Sequence, residues 1–280
     1  MKTIGFLTPY RHLPEFRKTV SNNFNCLDLS DLTDKEQQQL FKECDYLFAA
    51  PNYINYTITD KMLKGTKVSK IITPSTGLNH IEAQSVGTVH IKNDPVLNNI
   101  WSTAEHNLYL MLKLPRQTNN IVELHSKNLG ILGHGRLGSM VKRLARPLFN
   151  KVYVMDKNHN KPEFFKNIDF LSINIDLNED NIKLIGRKFI KKFSKKLFIV
   201  NTSRGEVVDE KEILELLKKK QILGYATDVI QEEHTNESSI LKKTRLDNLT
   251  ITPHIGGTAL ESQEKAYNRV IEKLKYNEEI

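Results

Sequence analysis

Three side chains of complementary chemistry follow apolar runs in the second half of the 280-residue chain. Arg204 stands just past residues 197–201, in Thr202-Ser203-Arg204-Gly205-Glu206. Gln231-Glu232-Glu233-His234 follows residues 224–229, and Pro253-His254-Ile255-Gly256-Gly257 follows residues 249–252. A guanidinium can grip a carboxylate by a two-pronged contact. An imidazole, with an ordinary pKa of about 6.5, can give or take a proton near neutrality. A carboxylate beside it can orient the ring and favour its charged form. Such a set suits proton transfer at an oxygen of an anionic substrate. Each residue also has a plainer use: Arg204 in a surface ion pair, Glu233 as a loop acid, His254 as a helix cap or hinge. Their recurrence at successive ends of apolar runs favours one shared site, because open α/β sheets bind ligands beyond the carboxyl ends of their strands.

A second motif lies upstream. Asn128-Leu129-Gly130-Ile131-Leu132-Gly133-His134-Gly135-Arg136-Leu137-Gly138 reads as an apolar strand running into glycines at GxGxxG spacing. At this spacing Gly133 permits a tight turn, Gly135 lets the backbone approach a pyrophosphate, and Gly138 lets helix and strand pack closely. The amides at the following helix start, at Arg136 and Leu137, and the positive end of its dipole form an anion site. Leu137, Met140, Val141, Leu144, Ala145 and Leu148 recur at helical spacing, and a strand over residues 151–155 follows. It ends at Asp156, eighteen residues past Gly138, where the motif places an acid for a ribose 2′-hydroxyl. This unit predicts a bound dinucleotide, and the Asp156 carboxylate, which repels a 2′-phosphate, predicts NAD over NADP.

The elements that must position these groups alternate along the chain. Strands are expected at residues 3–8, 25–29, 46–50, 71–73 and 89–91, with a helix over 34–42. A long amphipathic helix over about 102–113 leads into the glycine motif. Strands at 169–175, 197–201, 224–229 and 249–252 and a final helix over 260–276 complete the pattern. Such alternation implies α/β architecture with two doubly wound parallel sheets. The length suggests two domains, placed at residues 1–98 completed by 257–280, and at 99–256. Asp94-Pro95 and Gly256-Gly257 mark the crossings, where proline fixes and glycine frees the backbone, so closure on ligand is expected.

Composition narrows the function class. Hydrophobic residues make up 39% of the chain, and no apolar run approaches the ~18 residues a membrane span needs. The opening residues 1–9 have too short an apolar core for a signal peptide and read as a strand. Cys26 and Cys44 show neither CxxC spacing nor a disulfide framework, which points to core packing in a reducing cytoplasm. The net charge is +8, with lysines clustered at 183–196, 218–220 and 242–243. No nucleic-acid motif or aromatic interleaving accompanies them, so they read as a solvated face whose field draws in anions. The nine histidines show no paired ligand spacing, so no metal is expected.

From about Ile71 to Gln263 the chain resembles the D-isomer-specific 2-hydroxyacid dehydrogenase family. The likeness is carried by Ile72-Thr73-Pro74-Ser75-Thr76-Gly77-Leu78-Asn79-His80-Ile81-Glu82, Ser102-Thr103-Ala104-Glu105-His106 and Asn201-Thr202-Ser203-Arg204-Gly205-Glu206-Val207-Val208-Asp209. Asp228-Val229-Ile230-Gln231-Glu232-Glu233 and Thr252-Pro253-His254-Ile255-Gly256-Gly257 complete it. The resemblance implies a Rossmann-type dinucleotide domain and a flavodoxin-like substrate domain. It implies hydride transfer between NAD(H) and C2 of a D-2-hydroxy or 2-oxo acid, with Arg204, Glu233 and His254 as the catalytic residues. Glu233 is selected over Glu232 because the family's acid stands five residues beyond the aspartate. Gly133, Gly135, Arg136, Leu137, Gly138, Asp156, Asn174, Thr202 and Asp228 are then cofactor-binding residues, with Asp228 orienting the nicotinamide amide. Backbone amides of Ser75, Thr76 and Gly77 hold the substrate carboxylate. A homodimer with the 102–113 helix near the contact is also implied. His234 replaces a usual proline, Gln231 a common glutamate, and Asn174-Ile175-Asp176 a usual His-x-Pro. The short stretch 82–89 predicts that one substrate-domain helix is truncated. Phosphite, formate or a phosphorylated acid are alternative substrates, and an NAD(H)-sensing corepressor-like binding protein is the alternative function.

Overall fold

The computed structural model describes residues 1–118, 120–156, 162–231 and 239–276. In chain order the elements are β1 (Thr3–Phe6), α1 (Pro14–Ser21), β2 (Asn25–Asp28), α2 (Asp34–Leu40), β3 (Tyr46–Phe48), α3 (Asp60–Leu63), β4 (Lys70–Thr73) and β5 (Gly87–His90). They continue as α4 (Ser102–Gln117), β6 (Asn128–Leu132), α5 (Arg136–Ala145), β7 (Lys151–Met155), α6 (Pro162–Asn167), β8 (Phe170–Ile173) and α7 (Arg187–Ile190). The chain closes with β9 (Phe198–Asn201), α8 (Glu210–Lys218), β10 (Gly224–Thr227), β11 (Leu249–Ile251) and α9 (Leu260–Tyr276). It divides into two compact units. One comprises Met1–Ile100 and the C-terminal stretch from Thr258, and the other lies between Trp101 and Gly257.

The first unit carries a five-stranded sheet of order β2-β1-β3-β4-β5, all pairs parallel. Its strands are short, of three or four residues each. β1 was expected to reach residue 8 and stops at Phe6, and the Thr8 hydroxyl instead accepts the Ala50 amide at 2.8 Å. The helix α2 starts at a capping box, in which Thr33 Oγ1 receives the Glu36 amide and Glu36 returns a carboxylate to the Thr33 amide. β4 and β5 are joined by residues 74–86 without a helix, tied down by the Ile58–Ile81 bridge and by Asp60, which accepts the Gln84 and Ser85 amides. The terminal helix α9 packs on this unit, its Tyr267 ring 5.2 Å from Phe16 and 5.0 Å from Phe48.

The second unit carries a six-stranded sheet of order β11-β10-β9-β8-β6-β7, again all parallel. β8, β9 and β10 are buried at every position, as expected for central strands covered by helices on both faces. The strand order departs in both directions from β6, placing a switch point beside the glycine turn. α4 runs four residues past the expected end and carries Pro115, buried with Leu114, in its last turn. The buried face of α4 is Ala104, Asn107, Leu110, Met111 and Leu114, spaced at three and four residues.

Candidate functional site

The glycine turn forms where β6 meets α5. Gly133 adopts φ +90°, the left-handed region that favours glycine, and its amide donates to Met155 O at 2.8 Å. A Cβ on Gly138 would lie 2.0 Å from Gly133 O, so only glycine lets helix and turn approach this closely. Gly135 is exposed, and a Cβ there would meet no atom within 4 Å among the described residues. α5 begins at Arg136, and its N-cap Gly135 makes no side-chain hydrogen bond to the positive end of the helix dipole. Two neighbouring strand ends flank the turn: Asp156, exposed, follows β7, and Asn174 follows β8. Asn174 donates through Nδ2 to Ser172, while its buried Oδ1 has no partner among the described residues. Arg136 is partly buried, and that burial pulls its guanidinium pKa down. A helix start without a side-chain cap, an unspent amide oxygen and an exposed carboxylate fit a dinucleotide.

At the carboxyl ends of other strands of the same sheet, Arg204 follows β9, Asp228 directly follows β10 and His254 follows β11. Asn201 shapes the first loop: its Oδ1 accepts the Ser203 amide at 3.0 Å and hydroxyl at 2.7 Å, and its Nδ2 donates to Arg204 O at 2.9 Å. Arg204 is half-buried and donates through Nη1 to Ser203 O. Asp228 is only 2% exposed. Its Oδ1 accepts from Thr252 Oγ1 (2.6 Å) and the Ile255 amide (2.9 Å), and its Oδ2 from the Gly256 amide (2.7 Å). Burial alone would push the Asp228 carboxyl up, but hydrogen bonds from His106, Thr252 and Gly256 hold it below the ordinary carboxylate range. His254 is half-buried and has φ 54°, left-handed for a residue with a side chain. The backbone freedom expected of Gly256-Gly257 is therefore used at His254 instead. Gly256 serves close approach, since its Cβ would stand 2.8 Å from Asp228 Oδ2.

The second unit thus gathers Gly133, Gly135, Arg136, Leu137, Gly138, Asp156, Asn174, Thr202, Arg204, Asp228 and His254 at one sheet edge. Glu233 and His234 lie outside the described residues. Ser75, Thr76 and Gly77 belong to the first unit, in the half-buried loop after β4, where the Gly77 amide donates to Ser75 Oγ at 3.2 Å. That loop starts beside Thr73, whose hydroxyl contacts buried His80 at 3.1 Å.

Sequence reasoning missed the side chains beneath the strand ends. Asn107, wholly buried, donates to Thr202 Oγ1 at 2.8 Å and accepts from Ser172 Oγ at 3.0 Å. His106 contacts Thr252 and Asp228. The signal was Asn107 itself, a polar residue in the apolar stripe of a helix. Among the described residues no three His, Cys, Asp or Glu side chains converge as a metal site requires.

Comparison with known proteins agrees with this geometry. Residues 101–256 match the NAD-binding domain of the D-isomer specific 2-hydroxyacid dehydrogenases. A D-3-phosphoglycerate dehydrogenase of Methanocaldococcus jannaschii is 29% identical over 276 residues, covering 87% of this chain and 52% of that protein. A hydroxypyruvate reductase of Thermotoga maritima is 31% identical over 164 residues, 54% of this chain and 53% of that one. The chain spans about half the length of these curated relatives. Among solved structures, the NAD⁺-bound 3-phosphoglycerate dehydrogenase of Entamoeba histolytica superposes with a TM-score of 0.79 at 22% identity, over 98% of this chain and 94% of that chain. The matched domain takes in more than half of the sequence and holds the glycine turn, Arg204, Asp228 and His254, and the chain therefore belongs to the D-isomer specific 2-hydroxyacid dehydrogenase family.

Proposed function

We propose that this protein is an NAD(H)-dependent dehydrogenase that interconverts a D-2-hydroxy acid and its 2-oxo acid. The observation that carries the reading is the placement of Arg204 and His254 at the carboxyl ends of β9 and β11, in the sheet whose β6 ends at the glycine turn. Bound NAD(H) supplies or accepts the hydride at substrate C2. His254 protonates the carbonyl oxygen on reduction and takes the proton back on oxidation. Arg204 grips the substrate carboxylate and adds positive potential beside the oxygen, a geometry lysine cannot reproduce. Glu233, the acid implied by the family resemblance, has the role of orienting the imidazole and favouring its charged form. The loop at Ser75, Thr76 and Gly77 offers amides to the same carboxylate. Asp156 holds the adenosine ribose and sets the preference for NAD. A cytoplasmic homodimer, joined along α4, completes the reading.

A panel of 2-oxo acids, phosphorylated and not, is tested with NADH by following nicotinamide absorbance. Turnover of at least one at an ordinary enzymatic rate is expected. Tight NADH binding with no turnover across the panel would instead favour a sensor, and turnover of formate or phosphite alone would replace the substrate class.

A further inference from the structure

We infer that His106 is a positioning residue that holds the candidate proton donor His254 in place through Asp228 and Thr252. The inference rests on the role proposed for His254.

His254 sits in a backbone conformation that residues with a Cβ seldom adopt, so the surrounding structure must impose it. The restraint is visible on three sides of the turn. The His254 amide donates to Thr252 O at 3.0 Å. The next two amides, of Ile255 and Gly256, donate to the two oxygens of the Asp228 carboxylate. The carbonyl of Gly256 accepts from Ser102 Oγ at 2.6 Å. Ser102 and His106 are four residues apart and share one face of α4, so a single helix face meets the whole turn.

The hydrogens of this network can be assigned. Thr252 Oγ1 donates to Asp228 Oδ1, so it faces His106 as an acceptor. The Asp228 carboxylate only accepts. His106 Nε2, 2.9 Å from Thr252 Oγ1 and 3.3 Å from Asp228 Oδ1, must therefore carry a proton shared between them. His106 thus fixes the direction in which the Thr252 hydroxyl points and anchors the carboxylate that receives the two amides. Thr252, Ile255, Gly256 and His106 are all directed at Asp228, which thereby supports the turn.

Full-length protein carrying His106→Leu or His106→Gln tests this. Leucine fills the space without a donor, whereas the glutamine amide can place an N–H near the Nε2 position. His106→Leu is expected to lower kcat about tenfold or more, the scale on which small misplacements of reacting groups act. KM for the 2-oxo acid and the NADH dissociation constant, read by nicotinamide fluorescence, should stay unchanged, and His106→Gln should recover most of the loss. Unchanged kcat in His106→Leu, failure of glutamine to rescue, or a weakened NADH affinity that accounts for the loss would each overturn the inference. Should His106→Leu not fold, Thr252→Val cuts the same link with little change of shape, with the same expectations for kcat and NADH affinity. A crystal structure of the leucine or valine variant separates this idea from the proposed reaction. Residue 254 should leave the left-handed region whether or not any 2-oxo acid is turned over, and a retained left-handed His254 would refute the brace alone.

Discussion

Two turns at one sheet edge reach the left-handed backbone region by opposite means. At Gly133 the residue itself permits φ +90°, and a Cβ there would lie 2.5 Å from Asn174 O. At His254 the residue resists the conformation, and Asp228, Thr252, His106 and Ser102 impose it. The first turn needs little but backbone, which suits a site where amides must meet a phosphate. The second presents an imidazole, which glycine cannot, and there the conformation is supplied from outside. A turn made of glycine is robust to changes elsewhere; a turn held by distant side chains is not.

Substitutions should sort along this contrast. The largest effect is expected at the imidazole itself. His254→Ala should cut kcat by roughly 100-fold or more, the scale of a positioned proton donor, while NADH affinity measured by fluorescence stays intact. Near-normal turnover would remove His254 from the chemistry. Gly138→Ala should do the reverse, weakening NADH binding by about tenfold or more, equivalent to roughly 1.4 kcal/mol. Its methyl group is driven against Gly133 O, and an unchanged NADH dissociation constant would show that the turn can shift at little cost.

Asp228→Asn should destabilise the fold by about 1–3 kcal/mol, because an amide group then faces buried donors, as read by urea unfolding at pH 7. This cost carries a sign in pH. The native Asp228 carboxyl lies below its unfolded value of about 3.9, so its stabilisation is full above about pH 4 and is lost as pH falls through the native value. The gap between parent and variant should narrow under acid, and a gap that widens there would contradict the arrangement. The smallest effect is expected at Asp156, exposed beside the glycine turn. Asp156→Ser should narrow the ratio of kcat/KM for NADH over NADPH, and equal use of both cofactors by the unmodified protein would exclude the role.

The same contrast governs what was legible from residue order. The glycine turn was readable because GxGxxG spacing, an apolar strand before it and a periodic helix after it are all local. The strand over 151–155 and the helix over 260–276 appear with the bounds expected of them. β10 and β11 end two and one residues early, although the Asp228 and Thr252 amides still donate to the neighbouring strands. Helices of four residues, such as α3 and α7, are too short to show a period. The strand ends gave up Arg204 and His254, and the family resemblance Asp228, but neither gave the reason His254 is held as it is. His106 meets Thr252 across 146 residues and Asn107 meets Thr202 across 95, and no spacing rule reaches that far.

Those separations have a kinetic meaning. α4 precedes every strand of the sheet it supports, and β11 is the last strand of that sheet in the chain. Contacts joining residues 102 and 106 to residues 252 and 256 close the longest loops in the second unit, and loops of that length slow folding more than they weaken the finished structure. During refolding, helix content should therefore return before the His254 turn is set. A nascent chain that has made α4 and the glycine turn still lacks the His254 turn until β11 has been synthesised and docked. The two turns of one sheet edge would then be completed at different times in the life of each molecule.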